Sequence, residues 1–184
     1  MNDVSIFTIM KCKESRNAFI ASAVAMYNVS FFTPFLSVIL KQYDITDDEI
    51  GSCFFLASFP YFIAVLTTPF CVKNTPRKVQ FILCFIISAV AFAFMGPSPM
   101  LGFPHKLILI LIGLFILGFI QALVNIPCLP EAIECFQDKY KIIEGFDNEF
   151  DNKLSDCMSS LYSQFYNLAA LVGPILGGVC YDLF

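Results

Sequence analysis

The sequence is poor in the groups that carry most enzyme chemistry. Of its 184 residues, 14% are charged and only His105 is a histidine. A soluble domain carries ~25% charged residues to cover its surface, so this chain lacks the coat a water-facing fold needs. One histidine leaves almost no material for His-based metal sites or nucleophile–His dyads. The eight cysteines, at 12, 53, 71, 84, 128, 135, 157 and 180, form no C-x-x-C pair. They read as small packing residues, with neither a disulfide framework nor a zinc site implied. No basic stretch precedes an apolar run at the N-terminus, as a secretory signal peptide requires. No enzyme, metal site, cofactor or nucleic-acid partner is therefore expected.

What is present is apolar surface. Hydrophobic residues make up 58% of the chain, with 22 phenylalanines, and the mean hydropathy is +0.74. The charges cluster between charge-free windows long enough to cross a bilayer core, which takes ~20 apolar residues per helix. We expect an all-α integral membrane protein with five transmembrane helices, at about 18–40, 50–72, 79–97, 107–130 and 157–181. Residues 1–17 form an N-terminal segment ahead of a membrane domain spanning 18–184. Residues 131–156, containing "IEGFDNEFDNK", read as an acidic, solvated and mobile connector. "ITDDEIG" places Thr46 three residues before Glu49 at the start of an apolar run, the pattern of a capping box.

Lysine and arginine set the orientation. Nine of them fall in the N-terminal segment and the loops after the second and fourth spans, against Lys41 and Lys106 in the other two loops. By the positive-inside rule the N-terminus is expected to be cytoplasmic and the 131–156 loop with it.

Polar residues mark which helix faces meet protein. The third span looks almost bare apart from Ser88, so it is expected to face lipid. Ser22, Met26, Ser30, Thr33 and Ser37 recur at helical spacing in the first span. The second offers Ser58, Pro60, Tyr61, Thr67 and Thr68. Gly118, Gln121, Asn125 and Cys128 align in the fourth. Ser159, Ser163, Tyr166 and Ala170 align in the fifth, with Asn167 beside them. Hydroxyls and small residues of this kind are ordinary helix-packing devices in membranes. Amides are costlier to bury, so Gln121 and Asn125 point either to packing or to a water-filled or ligand-lined cavity. Thr33, Tyr61, Gln121, Asn125, Tyr166 and Asn167 are the cavity candidates. Glu131, after Pro130, is either a solvated helix-end residue or part of a cytoplasmic gate.

"LVGPILGGVCYD" spends helix propensity freely, since Gly disfavours a helix by about 1 kcal/mol and Pro by ~3 relative to Ala. Ala169, Gly173 and Gly177 form a small-xxx-small series, flanked by Ala170, Pro174 and Gly178. Such a series admits a neighbouring backbone, and Pro174 frees the Ala170 carbonyl and bends the helix. Together these five positions, Ala169, Gly173, Pro174, Gly177 and Gly178, read as a packing and hinge element.

"GPILGG" resembles the G-P-x-x-G-G element of major facilitator transporters. "FFTPFLSVILKQYDITDDEIGSCFFLASFPYFIAVLTTPF" resembles the seventh and eighth helices of the vesicular amine transporter-like branch. "MGPSPMLG" is similar to its loop between helices nine and ten, and "NIPCLPEAIECF" to its Pro-x-x-Pro-Glu ending of helix ten. The resemblance runs from Ala18 to Phe184. It implies helices seven to eleven, an incomplete six-helix half of a major facilitator fold, with the third span as the peripheral ninth helix. It further implies secondary transport of a small organic solute, an amine or polyamine, by alternating access in a plasma or vesicular membrane. A missing N-terminal half or a second copy would complete the cavity. No Asp or Glu lies within a span, so a proton-coupling carboxylate would have to come from elsewhere. The alternative is a non-transporting membrane subunit or relic, in which the polar seams serve assembly only.

Overall fold

The structure, a computed structural model, describes residues 6–43, 45–96, 106–141 and 148–183. These residues form six helices and no strand: α1 (Ile6–Met10), α2 (Lys13–Lys41), α3 (Asp47–Asn74), α4 (Arg77–Met95), α5 (Leu107–Tyr140) and α6 (Asn148–Leu183). The "GPSP" segment after α4 lies outside the described residues.

Local chemistry sets the boundaries. At the start of α3 the Glu49 carboxylate accepts from the Thr46 backbone N–H at 3.0 Å and from its hydroxyl at 2.9 Å. The Thr46 backbone bond, followed by the hydroxyl, holds the Glu49 carboxyl below its ordinary pKa. Between α3 and α4, Thr75 is extended and Pro76 caps the new helix, leaving Arg77 at its first position. Lys141 ends α5 in the left-handed region, at φ 53°.

Among the described residues, four helices, α2 to α5, are long and apolar enough to cross a membrane. The expected fifth crossing falls on α6. At 36 residues it is long enough, but it is not among the four that the described residues mark by length and apolarity. Length and apolarity thus carry four of the five expected spans.

Two expectations are corrected. Residues 131–156 are not a mobile connector for most of their length: α5 runs on to Tyr140 and α6 begins at Asn148. Nor is this extension solvated, since Ala132, Phe136 and Leu154 are buried in one cluster with Cys128, Met158 and Leu161. The N-terminal segment also joins the core. Ile9 and Cys12 are fully buried in that cluster, beside Ala18 and Phe19 of α2.

Helix α5 is the central post, packing against α2, α3, α4 and α6, while α6 lies chiefly along α2. Glycine sets the close crossings. A Cβ at Gly118 would strike the Ala57 carbonyl of α3, and one at Gly113 would lie 2.9 Å from the Ala91 carbonyl of α4. Helix α4 has its principal contact with α5 alone. Its other face exposes Ile82, Leu83, Ile86, Ile87 and Val90, the surface a helix at the lipid boundary presents.

Candidate functional site

Helices α2, α3, α5 and α6 enclose a partly open cavity of about 370 Å³. Four of the six candidate residues line it: Thr33 from α2, Tyr61 from α3, Gln121 from α5 and Tyr166 from α6. Apolar neighbours complete the wall, notably Met26 and Phe32 of α2, Phe54 of α3 and Leu117 of α5. No charged side chain is among the lining residues.

The polar groups of this wall are not equally available. The Thr33 hydroxyl donates to the Val29 carbonyl at 2.8 Å, and the Ser58 hydroxyl to the Phe54 carbonyl at 3.3 Å. Both are committed to their own helices. Gln121 is nine-tenths buried, and its Nε2 donates to the Met26 sulfur at 3.5 Å, with the Tyr166 phenol as a further hydrogen-bond neighbour. A thioether is a weak acceptor, so the amide of Gln121 and the phenols of Tyr61 and Tyr166 carry the hydrogen-bonding capacity of the cavity.

Asn125 and Asn167 are corrected. Asn125 is buried but does not line the cavity. Its Oδ1 accepts from the Ser22 hydroxyl at 3.0 Å, and its backbone carbonyl accepts from the Tyr162 hydroxyl at 3.5 Å. It joins α2, α5 and α6. Asn167 is exposed, one residue from Tyr166 and about 100° round the helix from it. Beside Asn125, Ser15 donates to the Ala132 carbonyl and the Cys128 thiol to the Ala18 carbonyl, each at 2.8 Å. These bonds pin α2 to α5. A double-mutant cycle of Ser22→Ala and Asn125→Leu should return a coupling of about 0.6–2 kcal/mol in unfolding measurements, the range for interhelical hydrogen bonds in membranes. Strict additivity would mean the pair does not interact.

The small-residue series has a physical partner in α2. A Cβ at Gly173 would come within 2.7 Å of Ser30 Cβ, and one at Gly177 within 2.7 Å of the Phe31 carbonyl. Ala169 is buried on the same face. Gly178 is different, with nothing within 4 Å of an added Cβ. Pro174 is half-buried, and α6 remains helical through it.

Glu131 does not stand as a free helix-end carboxylate. Arg77 Nη1 lies 3.2 Å from Glu131 Oε2 and 2.7 Å from Glu134 Oε2, while Nη2 donates to Glu134 Oε1 at 2.7 Å. The Glu134 bond above all, with Glu131, holds the guanidinium above its ordinary pKa against the opposing effect of burial. One arginine at the start of α4 thus clasps two carboxylates one turn apart on α5. The sequence reading missed Arg77 because its partners lie more than fifty positions away. It also missed Gln80, which belies a third span without polar needs: its Nε2 donates to the Leu123 carbonyl at 2.9 Å, and its buried Oε1 has no partner.

An all-α bundle with apolar outer faces and an uncharged internal cavity is the build of an integral membrane protein. The family model for the Major Facilitator Superfamily matches residues 18–184, and the chain belongs to that superfamily. Among curated proteins it is similar to the MFS-type transporter SLC18B1 of Rattus norvegicus, 27% identical over 153 residues, which are 80% of this chain and 32% of that protein. The proteins of that name from Homo sapiens and Mus musculus are each 26% identical, over 83% and 80% of this chain and 32% and 31% of their own lengths. The chain thus covers about a third of the length of these relatives. No solved structure matches it.

Proposed function

We propose that the chain is one half of a secondary transporter that carries a small organic solute across a bilayer by alternating access. The observation that carries this reading is the cavity in which Tyr61, Gln121 and Tyr166 converge from three helices of an otherwise apolar-faced bundle. A helix assembly without a ligand has no need of an open void of about 370 Å³ with an amide in its wall. Membership of the Major Facilitator Superfamily supports the same reading, since its members enclose a midplane site between two related halves.

In this proposal α2 to α6 are the seventh to eleventh helices, α6 makes the fifth crossing, and the N-terminus is cytoplasmic. A missing N-terminal half or a second copy closes the cavity. The solute is an amine or polyamine, an assignment that rests on the resemblance of the sequence. Because no carboxylate lines this wall, the counter-charge for such a cation and any proton-coupling group belong to the other half. The Ala169–Gly178 segment of α6 then serves as a tight bearing against α2 during rocking. Transport, and not catalysis, is the reading throughout.

Binding of a labelled monoamine and a labelled polyamine to the purified chain, with uptake into proteoliposomes of a full-length form, provides the test. Gln121→Leu should reduce binding or uptake about tenfold, the worth of a hydrogen bond of about 1.4 kcal/mol. Membrane insertion and yield should not change. Equal binding and uptake by Gln121→Leu and Tyr166→Phe would remove this cavity from the solute path.

A further inference from the structure

Behind the wall of the large cavity, where α2, α4 and α5 meet, lies a second void of about 10 Å³. Most of its lining is apolar, but Asn28, Ser88 and Gln121 also face it. Ser88 is 7% exposed and Gln121 8%. A space of this size is about what one water molecule needs, provided two to four polar groups receive it.

Those groups are present and unmatched. Several other hydroxyls of the bundle return to their own helix, Thr33 to Val29, Ser58 to Phe54 and Thr68 to Ala64, while Ser15 and Ser22 bond across to α5. Among the described residues, the Ser88 hydroxyl and the Asn28 side chain have no hydrogen-bond partner. Gln121 donates through Nε2 to Met26 and neighbours the Tyr166 phenol, and among the described residues its Oε1 accepts no bond. Buried polar groups are satisfied in the great majority of cases, by protein or by ordered water. None of the three is sealed off in the manner of Gln80 Oε1, the one fully buried side-chain polar atom without a partner among the described residues.

The chemistry selects the occupant. A cation here would sit in a low-dielectric interior with no carboxylate in any span to balance it, an expensive arrangement. A hydroxyl and two amides instead suit a neutral molecule that both donates and accepts. We propose that this void is a built hydration site holding one water, which donates to Gln121 Oε1 and to Asn28 and accepts from Ser88. Ser88 and Asn28 are then positioning residues for Gln121. With its Oε1 engaged from behind, the amide keeps Nε2 turned toward Met26 and the large cavity. That wall offers a donor and selects solutes that bring an acceptor. This last consequence rests on the transport reading; the water itself does not.

The test reads the water directly. The full chain, labelled with ¹⁵N-glutamine and placed in nanodiscs, is examined by NMR for cross-relaxation between water and the Gln121 side-chain NH₂, assigned by its loss in Gln121→Leu. The wild type should show the signature of a long-lived water. Ser88→Val and Asn28→Leu, which fill the void with apolar atoms from two different helices, should each abolish that signal and shift the Gln121 amide resonance. Either variant suffices if the other fails to fold. The proposal is overturned if the wild type shows no such water, or if its signal survives in the folded variants. It is overturned as well if exchanging sodium chloride for choline chloride moves the Gln121 resonance, because the occupant would then be a cation. Failure of solute binding would leave all these readouts unchanged, so the two readings stand or fall separately.

Discussion

Gly118→Ala should destabilise the bundle although alanine is the better helix former. The added methyl falls on the Ala57 carbonyl, so α3 and α5 must separate at the floor of the large cavity. Backbone cannot rotate aside as a flexible side chain can. Overpacking of this kind typically destabilises by about 1–3 kcal/mol, and a collision with rigid backbone belongs at the upper end, above the ~1 kcal/mol that alanine gains from helix propensity. Gly173→Leu and Gly177→Leu should act similarly by forcing α6 from α2, where even a methyl would reach 2.7 Å from Ser30 Cβ or the Phe31 carbonyl. Gly178→Ala and Gly51→Ala are the controls, since nothing lies within 4 Å of either new atom. They should be neutral or slightly stabilising. Detergent-extracted yield of monodisperse protein and its thermal midpoint provide the measurement. Wild-type behaviour of Gly118→Ala, or damage from Gly178→Ala, would contradict the close crossings described above.

Four of the spans were legible because a bilayer imposes two demands that composition records directly: length and absence of charge. The extension of α5 was not read, because Glu131, Glu134, Asp138 and Lys139 resemble a solvated loop. Yet Cys128, Ala132 and Phe136 continue at steps of four, and Leu154, Met158 and Leu161 at four and three. Those are helical stripes, and all six residues are buried. Charge on the outer face had masked an apolar inner one.

The site was legible in part for a different reason. Periodicity identifies a face but does not name what lies opposite. Gln121 and Asn125 are one turn apart and share a seam; the first meets a void, and the second meets Ser22. On α6, hydroxyls and amides suggested a packing face through Ser163 and Asn167. The actual contact with α2 runs through Ala169, Gly173 and Gly177, a stripe centred about 120° round the helix from Asn167. The glycine series, whose expense demanded a steric reason, marked the contact better than polarity did.

The Arg77 clasp supplies the second large effect. Arg77→Ala leaves Glu131, whose side chain is only 15% exposed, next to Glu134 with neither carboxylate balanced. Breaking a partly buried ion pair from one side destabilises more than the pair itself stabilises, because the remaining charge stays desolvated. With one carboxylate largely in water, an effect of about 1–2 kcal/mol is expected. Arg77→Lys should rescue little, since an ammonium cannot present the planar fork that reaches both carboxylates. A triple variant, Arg77→Leu with Glu131→Gln and Glu134→Gln, should recover much of the loss by removing the unbalanced charges. The damage should be local, because α4 depends chiefly on α5 for support. At its far end the Gly113 crossing with Ala91 and Met95 remains, while its start loses the clasp. Hydrogen exchange should therefore accelerate in the first two turns of α4 and little at its C-terminal end. Uniform acceleration along the helix, or none, would mean that the carboxylates of α5 do not hold α4 in place.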